Sequence, residues 1–211
     1  MDQCAFSMLA REVVTCRQCF EVQVASPAQI DIAQPRWVGS NYEQSRPRIL
    51  FLLVNPASGK GYNEAADATF LKHLRAFRDD AGSLETVLEH QRRDMPSWGR
   101  GRFFRFYIEQ LGLSLDDVAF INIAWCSVAN NKPLKPMLNT CFNLHTKRLL
   151  QILQPQLIFV SGSAAHPFSP KIRNLLPTAS VQKVLHYAHR KGTVAEKAEA
   201  QRMRAALEHC L

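Results

Sequence analysis

The chain has 211 residues, 46% of them apolar and 21% charged, which indicates a globular protein with a single domain over residues 1–211. No stretch approaches the roughly twenty uncharged apolar residues of a membrane span, and Arg11, Glu12 and Arg17 interrupt any secretory signal, so we expect a soluble, cytoplasmic protein. The 26 basic and 18 acidic residues give a net charge of +8, which favours a polyanionic partner such as nucleic acid.

The predicted elements alternate between helices and strands along the chain. A helix near residues 6–14 precedes an irregular segment, 26–47, that is rich in Pro, Gln and Ser. Buried strands are predicted at 49–54 and 117–126 and at the start of 156–168, with a short fourth strand at the start of 180–192. Helices are predicted within 68–77, 101–112, 141–155 and 194–210.

This alternation predicts an α/β fold with three layers, α/β/α, around a central, mainly parallel four-stranded sheet. In such sheets, ligands bind beyond the carboxyl ends of the strands. Three polar features of the sequence fall there: Asn55, the segment from Asn122 to Asn131, and the pair His186 and His189.

The six cysteines are Cys4, Cys16, Cys19, Cys126, Cys141 and Cys210. In a chain without an export signal, clustered cysteines more often bind metal or do redox work than form disulfides. One tight pair, Cys16 and Cys19, with the dispersed Cys126 and Cys141 suits a cubane iron–sulfur cluster better than zinc, which usually takes two tight pairs. Four ordinary buried thiols remain the alternative to a metal site. We interpret the other two cysteines as structural.

The segment NPASGKG is similar to a phosphate-binding loop but lacks two of the residues that define this motif. Val54 stands at the position of the first glycine, and Gly61 stands at the position of the hydroxyl residue. We therefore do not expect hydrolysis of a nucleoside triphosphate.

Three further residues each allow two interpretations. Burying the Asn122 amide in an apolar strand costs a few kcal/mol unless it is partnered, so it is either a structural amide or one that reads a ligand. His189 is either a surface histidine in a basic loop or part of a site. Phe70 is either a core aromatic or a stacking platform.

Together these segments resemble the uracil-DNA glycosylase superfamily, and most closely its iron–sulfur branch (family 4), from Cys16 to about Gly192. That branch has a tight cysteine pair, two later cysteines, and an asparagine four residues before the third cysteine, as at Asn122. Its Asn-Arg-x-Pro pattern is echoed by NNKP, 130–133, and LLQILQPQLIFVSGSAA is similar to its helix, strand and glycine turn. HYAHRKG takes the place of its His-Pro-Ser motif, with His189 at the histidine.

Two motifs depart from that branch. The first motif reads Leu53-Val-Asn-Pro-Ala57 instead of Gly-Glu-Ala-Pro-Gly, and its Asn-Pro is similar to the mismatch-specific and single-strand-selective branches. The second motif reads His-Arg-Lys in place of His-Pro-Ser.

The resemblance implies a DNA glycosylase of base excision repair that removes uracil or a related deaminated base by base flipping and water attack at the sugar. Asn55 and His189 would be catalytic, the first placing the water and the second donating to uracil O2. Asn122, Phe70 and Pro56 would bind the base. The Asn122 amide would accept from uracil N3–H and donate to O4, a pattern that cytosine reverses.

The resemblance also implies a cofactor and partners. A 4Fe–4S cluster, or alternatively zinc, would be a structural group bound by Cys16, Cys19, Cys126 and Cys141. DNA containing a damaged base would be contacted at its phosphates by Arg190 and Lys191, and the protein would act as a monomer. The alternatives are a lesion-sensing relative without turnover and an enzyme acting on small nucleosides.

Overall fold

A four-stranded parallel sheet is the central element of the computed structural model, which describes residues 3–21, 26–58, 64–189 and 192–210. The strands are β1 (Ile49–Leu53), β2 (Val118–Asn122), β3 (Leu157–Ser161) and β4 (Ser180–Val184), in the order β2-β1-β3-β4. The register pairs Ile49 with Leu157, and Leu157 with Ser180. The predicted three-layer α/β/α fold with a four-stranded sheet is therefore confirmed.

The predicted strands read as apolar runs because β1, β2 and β3 are buried at every position. The edge strand β4 alternates more and exposes Gln182 and Lys183. On one face of the sheet, the Phe51 ring stacks on Phe120 and Phe159 at centroid distances of 4.8 and 5.3 Å. These aromatic contacts join β1, β2 and β3 in one core.

Helices make up most of the remaining described chain. They are α1 (Gln3–Thr15), α2 (Gln18–Glu21), α3 (Glu64–Arg78), α4 (Leu84–Asp94), α5 (Arg102–Tyr107), α6 (Lys135–Cys141), α7 (Lys147–Leu153), α8 (Ser169–Leu175) and α9 (Gly192–Glu208). A π-helical segment, Phe142–Thr146, joins α6 to α7. In the ranges that the structure describes, no helix has both the length and the apolar character needed to cross a membrane.

The elements differ from the sequence predictions in several places. The second strand ends at Asn122, because the apolar residues after it remain buried but leave the ladder. The predicted helix 141–155 is divided by the π-helical segment. The helix α4 was not predicted, because its buried face carries His90 and Gln91 and so lacks a clear apolar period.

The chain divides into two compact units, each assembled from separate segments. The first comprises Met1–Arg36, Val54–Gln91 and Asn122–Ile152, and the second comprises Trp37–Leu53, Arg92–Ile121 and Leu153–Leu211. The sheet belongs to the second unit, and the chain passes into the first unit directly after β1 and at the last residue of β2. Neither unit is continuous in sequence, and the single-domain interpretation stays a prediction.

Candidate functional site

The Asn55 amide follows β1 in the first unit and has a fixed orientation. Its Nδ2 donates to Oδ1 of Asn131 at 2.8 Å and to the carbonyl of Pro56 at 3.0 Å. Both amide hydrogens are thereby engaged, and Oδ1 is the acceptor that remains for a ligand or a water. The amide is neutral, so it can orient a water molecule but cannot remove its proton.

Asn131 is a site residue that sequence reasoning did not identify. It belongs to the NNKP segment, and both asparagines there have left-handed backbones, with φ of 58° at Asn130 and 50° at Asn131. Asparagine tolerates this conformation better than most residues, so the pair forms a tight turn that presents Asn131 to Asn55. The motif was visible in the sequence, but the contact spans 76 positions.

Asn122 is the last residue of β2 and is 2% exposed. Its Oδ1 has no hydrogen-bond partner within the described part of the chain. Its backbone carbonyl, in contrast, is held by the Thr146 hydroxyl at 2.9 Å, and that hydroxyl accepts from Trp125 Nε1 at 2.8 Å. The backbone is thus fixed while a buried acceptor is left to a ligand, which supports the ligand-reading interpretation.

The segments that carry the two amides lie side by side. Strands β1 and β2 are neighbours in the sheet, and beyond them Ala124 N donates to Val54 O at 2.9 Å within the first unit. Asn55 and Asn122 are therefore brought to adjacent segments. Pro56 is buried and contacts Asn55 through its carbonyl.

Phe70 lies in a hydrophobic cluster of the first unit and is 7% exposed. The cluster also contains Ala10, Val14, Ile30, Ile32, Leu74, Phe77 and Val87. The ring of His90 stacks on Phe70 with a centroid distance of 4.9 Å and 17° between the planes. Because His90 covers one face of the Phe70 ring, a base would have to stack on the opposite face.

The four cysteines of the expected cluster come together in the first unit. None of the six cysteines forms a disulfide. The thiol of Cys141, at the end of α6, hydrogen-bonds with those of Cys19 and Cys126, and Cys16 lies close enough to Cys19 for repulsion between their charged forms. Cys16 is half-buried and the other three are buried.

Hydrogen bonding and burial favour the protonated form of Cys16, Cys19 and Cys141. The hydrogen bond with Cys126, together with burial, raises the pKa of Cys141 to about 12. The hydrogen bond with Cys141, followed by burial, raises the pKa of Cys19 far above its usual range, and burial raises that of Cys16. A bound cation would displace these protons, because thiolates are the form that binds metal.

The donor set suits a thiophilic metal group, since four sulfurs are gathered from the α1–α2 junction, the loop after β2 and the end of α6. As arranged, however, no three His, Cys, Asp or Glu side chains in the described ranges have the mutual geometry to hold a metal ion. Binding would therefore require the thiols to turn towards a common centre.

His145 is a second residue that the sequence did not single out. It lies on the π-helical segment, is 5% exposed, and neither ring nitrogen has a hydrogen-bond partner among the residues described. Its ring centroid is 6.1 Å from that of Trp125. Burial lowers the pKa of His145 to about 4, so the ring is neutral at physiological pH.

His189 belongs to the second unit, in the loop after β4. We call residues 185–189 the histidine loop. The His189 ring is half-buried with its edge towards Phe106 at 5.9 Å, and its backbone N donates to the carbonyl of His186 at 2.8 Å. Gly162 lies beneath the loop with φ of 91°, and a Cβ there would approach the Cβ of His186 to 3.3 Å.

His186 has the properties of a neutral hydrogen-bond donor. The Ala188 amide donates to its Nδ1 at 3.2 Å, which leaves the proton on Nε2. Burial, followed by the nearby charges of His189 and Arg102, lowers the pKa of His186 to about 4. The donor chemistry expected of His189 is therefore also available at His186.

The predicted site residues are thus distributed over two units. Asn55, Pro56, Phe70, Asn122 and the four cysteines belong to the first unit, and His189 belongs to the second. Arg190 and Lys191 lie outside the described residues. Comparison of the chain with protein-family models and with curated proteins found no match.

Proposed function

We propose that the chain is a DNA glycosylase of the uracil-DNA glycosylase superfamily that hydrolyses the N-glycosidic bond of uracil or a related deaminated base. The observation that carries the proposal is the pair of amides on adjacent segments of the first unit. Asn55 offers an oriented acceptor for water, and Asn122 offers a buried acceptor without a partner in the described chain. A reaction that reads a base and directs water to its sugar needs both.

Asn122 supplies the selectivity. Its buried Oδ1 accepts a hydrogen bond from the imide N–H of uracil once the nucleotide has been rotated out of the helix. Cytosine carries no hydrogen at the corresponding nitrogen, so it would leave the Asn122 oxygen unpaired. A buried unpaired acceptor costs about 1–3 kcal/mol, which disfavours the wrong base.

In this proposal, Asn55 and the histidine loop accelerate cleavage of the N-glycosidic bond. Cleavage leaves negative charge on the base and an oxocarbenium-like sugar, which reacts with a water that needs orientation more than activation. Asn55 Oδ1 accepts from that water. A donor to the base carbonyl stabilises the leaving group, a role assigned to His189 or to the neutral His186, and one such donor is worth about a hundredfold to a thousandfold in rate.

The metal group has a structural role in this proposal. A 4Fe–4S cluster bound by Cys16, Cys19, Cys126 and Cys141 would supply four covalent ties between the N-terminal helices and the segment that follows Asn122. Zinc is the alternative metal. Hydrolysis transfers no electrons, so the thiolates contribute by fixing the segment after Asn122.

The partner is DNA that contains a damaged base. The net charge of +8 favours phosphate binding, and Lys132 and Lys135 are exposed on either side of Pro133 in the segment that holds Asn55 through Asn131. Arg190 and Lys191 carry the same expectation on the sequence alone. The oligomeric state we propose is a monomer.

The test is an excision assay on oligonucleotides that contain uracil, hypoxanthine or xanthine, with the variants Asn55→Ala, Asn122→Ala and His189→Ala. We expect uracil release by the parent protein and a loss of about a hundredfold in each variant. The matched control is Asn174→Ala on the exposed surface of α8, which should leave excision unchanged. Unaltered cleavage in all three variants would exclude these assignments.

A lesion-sensing protein without turnover is the second candidate. It is favoured by the His-Arg-Lys motif and by the coverage of one Phe70 face by His90. Tight binding to uracil-containing DNA with no released base would select it. Activity on free deoxyuridine with binding that does not depend on salt would instead indicate an enzyme for small nucleosides.

A further inference from the structure

The backbone of the histidine loop is held by side chains from other elements of the second unit. The contacts join Leu185 N to Glu199 Oε1 at 2.6 Å, Leu185 O to Ser161 Oγ at 3.3 Å, Tyr187 N to the Tyr107 hydroxyl at 3.3 Å, and His189 O to the Arg102 guanidinium at 3.3 Å. These bonds replace those that a strand or helix would supply. The loop conformation therefore depends on a few named side chains.

Glu199 is the least expected of these partners. It lies on α9, is 6% exposed, and accepts from the guanidinium of Arg202 at 2.8 Å as well as from Leu185. Arg202 also donates to the carbonyl of Lys183 in β4. A carboxylate buried to this degree needs a cation and hydrogen-bond donors, and Glu199 has both.

The bond between Leu185 N and Glu199 Oε1 lies at the end of β4, where the chain leaves the sheet. Leu185 is the first residue after β4. If the strand continued, the Leu185 N–H would be part of it, but this N–H donates to Glu199. The bond fixes the direction in which the chain leaves the sheet and hence the start of the turn that carries His186. Gly162 lies close beneath that residue and leaves little room for an alternative path.

The other end of the loop is tied to the same helix. Glu196 precedes Glu199 by three positions and so lies on the same face of α9. It pairs with Arg102 at 3.5 Å, and Arg102 donates to the carbonyl of His189. The helix α9 thus holds the first residue of the histidine loop directly and the last through Arg102.

We propose that Glu199 is a positioning residue, which acts from α9 to set the histidine loop in the conformation that the glycosylase reaction uses. The catalytic part of this role rests on the proposed function. The structural part of it, the restraint on the loop, stands independently of any reaction. Glu199 acts through the loop backbone and does not itself meet the substrate.

Two measurements on the 211-residue chain test this role. Amide hydrogen exchange reports the opening of Leu185 and Tyr187, and excision kinetics on a uracil-containing oligonucleotide report kcat and KM separately. The variants are Glu199→Ala and Glu199→Gln, since the glutamine amide oxygen can still accept from Leu185 N. The matched control is Glu208→Ala, an exposed glutamate of the same helix.

We expect Glu199→Ala to raise the exchange rates of Leu185 and Tyr187 about tenfold or more, with little change in strand β3. The kcat should fall by about tenfold while KM stays within about twofold, because the loop loses its catalytic placement while DNA contacts remain. Glu199→Gln should restore most of both, and Glu208→Ala should resemble the parent protein.

Unchanged exchange in the loop would overturn the proposal, and so would a uniform rise across the second unit that Glu199→Gln does not correct. If Glu199→Ala does not fold, the comparison is between Glu199→Gln and Glu208→Ala. Equally slow exchange of the histidine loop in these two variants, with unchanged kcat, supports the proposal. An equal loss of kcat in these two variants overturns it. If the parent protein releases no base, localised exchange in Glu199→Ala still supports the restraint while the proposed function fails.

Discussion

Asn55 donates from its Nδ2 to the Oδ1 of Asn131 at 2.8 Å, and this bond joins the residue after β1 to a turn 76 positions later. A second bond, to the carbonyl of Pro56, uses the other amide hydrogen. The orientation of the Asn55 amide is thereby determined by Asn131 and its own neighbour. Asn131, in the NNKP segment, thus helps to orient a proposed catalytic group.

Removing this support should reduce catalysis without removing the water-binding oxygen. We expect Asn131→Ala to lower kcat for uracil excision about tenfold, because the Asn55 amide becomes free to rotate. Asn130→Ala is the matched control, since Asn130 also has a left-handed backbone and alanine there causes the same backbone strain. Equal losses in the two variants would show that the turn, rather than the bond to Asn55, is responsible.

Asn122 should show a conflict between stability and activity. Because its Oδ1 is buried without a partner in the described chain, Asn122→Leu should raise the free energy of unfolding by about 1 kcal/mol while abolishing excision. Urea denaturation measures the first effect. The contrasting variant is Gln34→Leu, which removes a buried amide that donates to Ser127 at 2.6 Å and should therefore destabilise the protein. A less stable Asn122→Leu would indicate a structural amide.

The sequence predicted the fold well because burial of a parallel sheet leaves a direct trace in composition. Strands β1, β2 and β3 are buried at all positions and so read as apolar runs. The apolar run also predicted the end of β2 incorrectly. Residues Ile123 to Trp125 are equally buried, but they bond outside the ladder, and apolarity reports burial rather than pairing.

The site was less accessible to sequence reasoning. Cysteine spacing and the isolated Asn122 are local features, so they could be recognised along the chain. The bonds from Asn131 to Asn55 and from Glu199 to Leu185 depend on tertiary packing, and neither has a local pattern. The neutral state of His186 likewise follows from burial and from the Ala188 amide, which composition does not reveal.

Stability should depend on pH through the buried histidines. In the unfolded chain, His145 and His186 have the ordinary histidine pKa of 6.5, whereas burial lowers the pKa of each to about 4 in the folded protein. Between these values the unfolded state binds more protons, so the free energy of unfolding should fall as the pH falls from 6.5 to 4, by on the order of 2 kcal/mol per histidine.

Chemical denaturation across this pH range tests the effect. His145→Leu should flatten the profile, since it removes one of the two groups, and the exposed His209→Ala should not alter it. A profile of His145→Leu that parallels that of the parent protein would show that this histidine is not buried in solution.

The cysteine cluster has a visible consequence. Protein purified without oxygen should be brown, absorb at about 400 nm and contain iron and acid-labile sulfide if the thiols hold a 4Fe–4S group. Cys141→Ser should lose the colour, because Cys141 contacts two of the other thiols, whereas the exposed Cys4→Ser should keep it. Zinc in a colourless preparation would indicate the alternative metal, and no metal would leave four buried thiols.

DNA binding should depend on salt through the exposed lysines near Asn131. Each phosphate contact of double-stranded DNA adds roughly 0.9 to the magnitude of the slope of log K against log salt concentration. Lys132→Ala combined with Lys135→Ala should therefore reduce the slope by about 2 and weaken binding to uracil-containing and normal DNA alike. The control is Lys171→Ala with Lys183→Ala, two exposed lysines of the second unit, for which the slope should stay unchanged. A slope near zero for the parent protein would exclude DNA as the partner, whereas an equal reduction in both double variants would show diffuse charge rather than a binding face around Asn131.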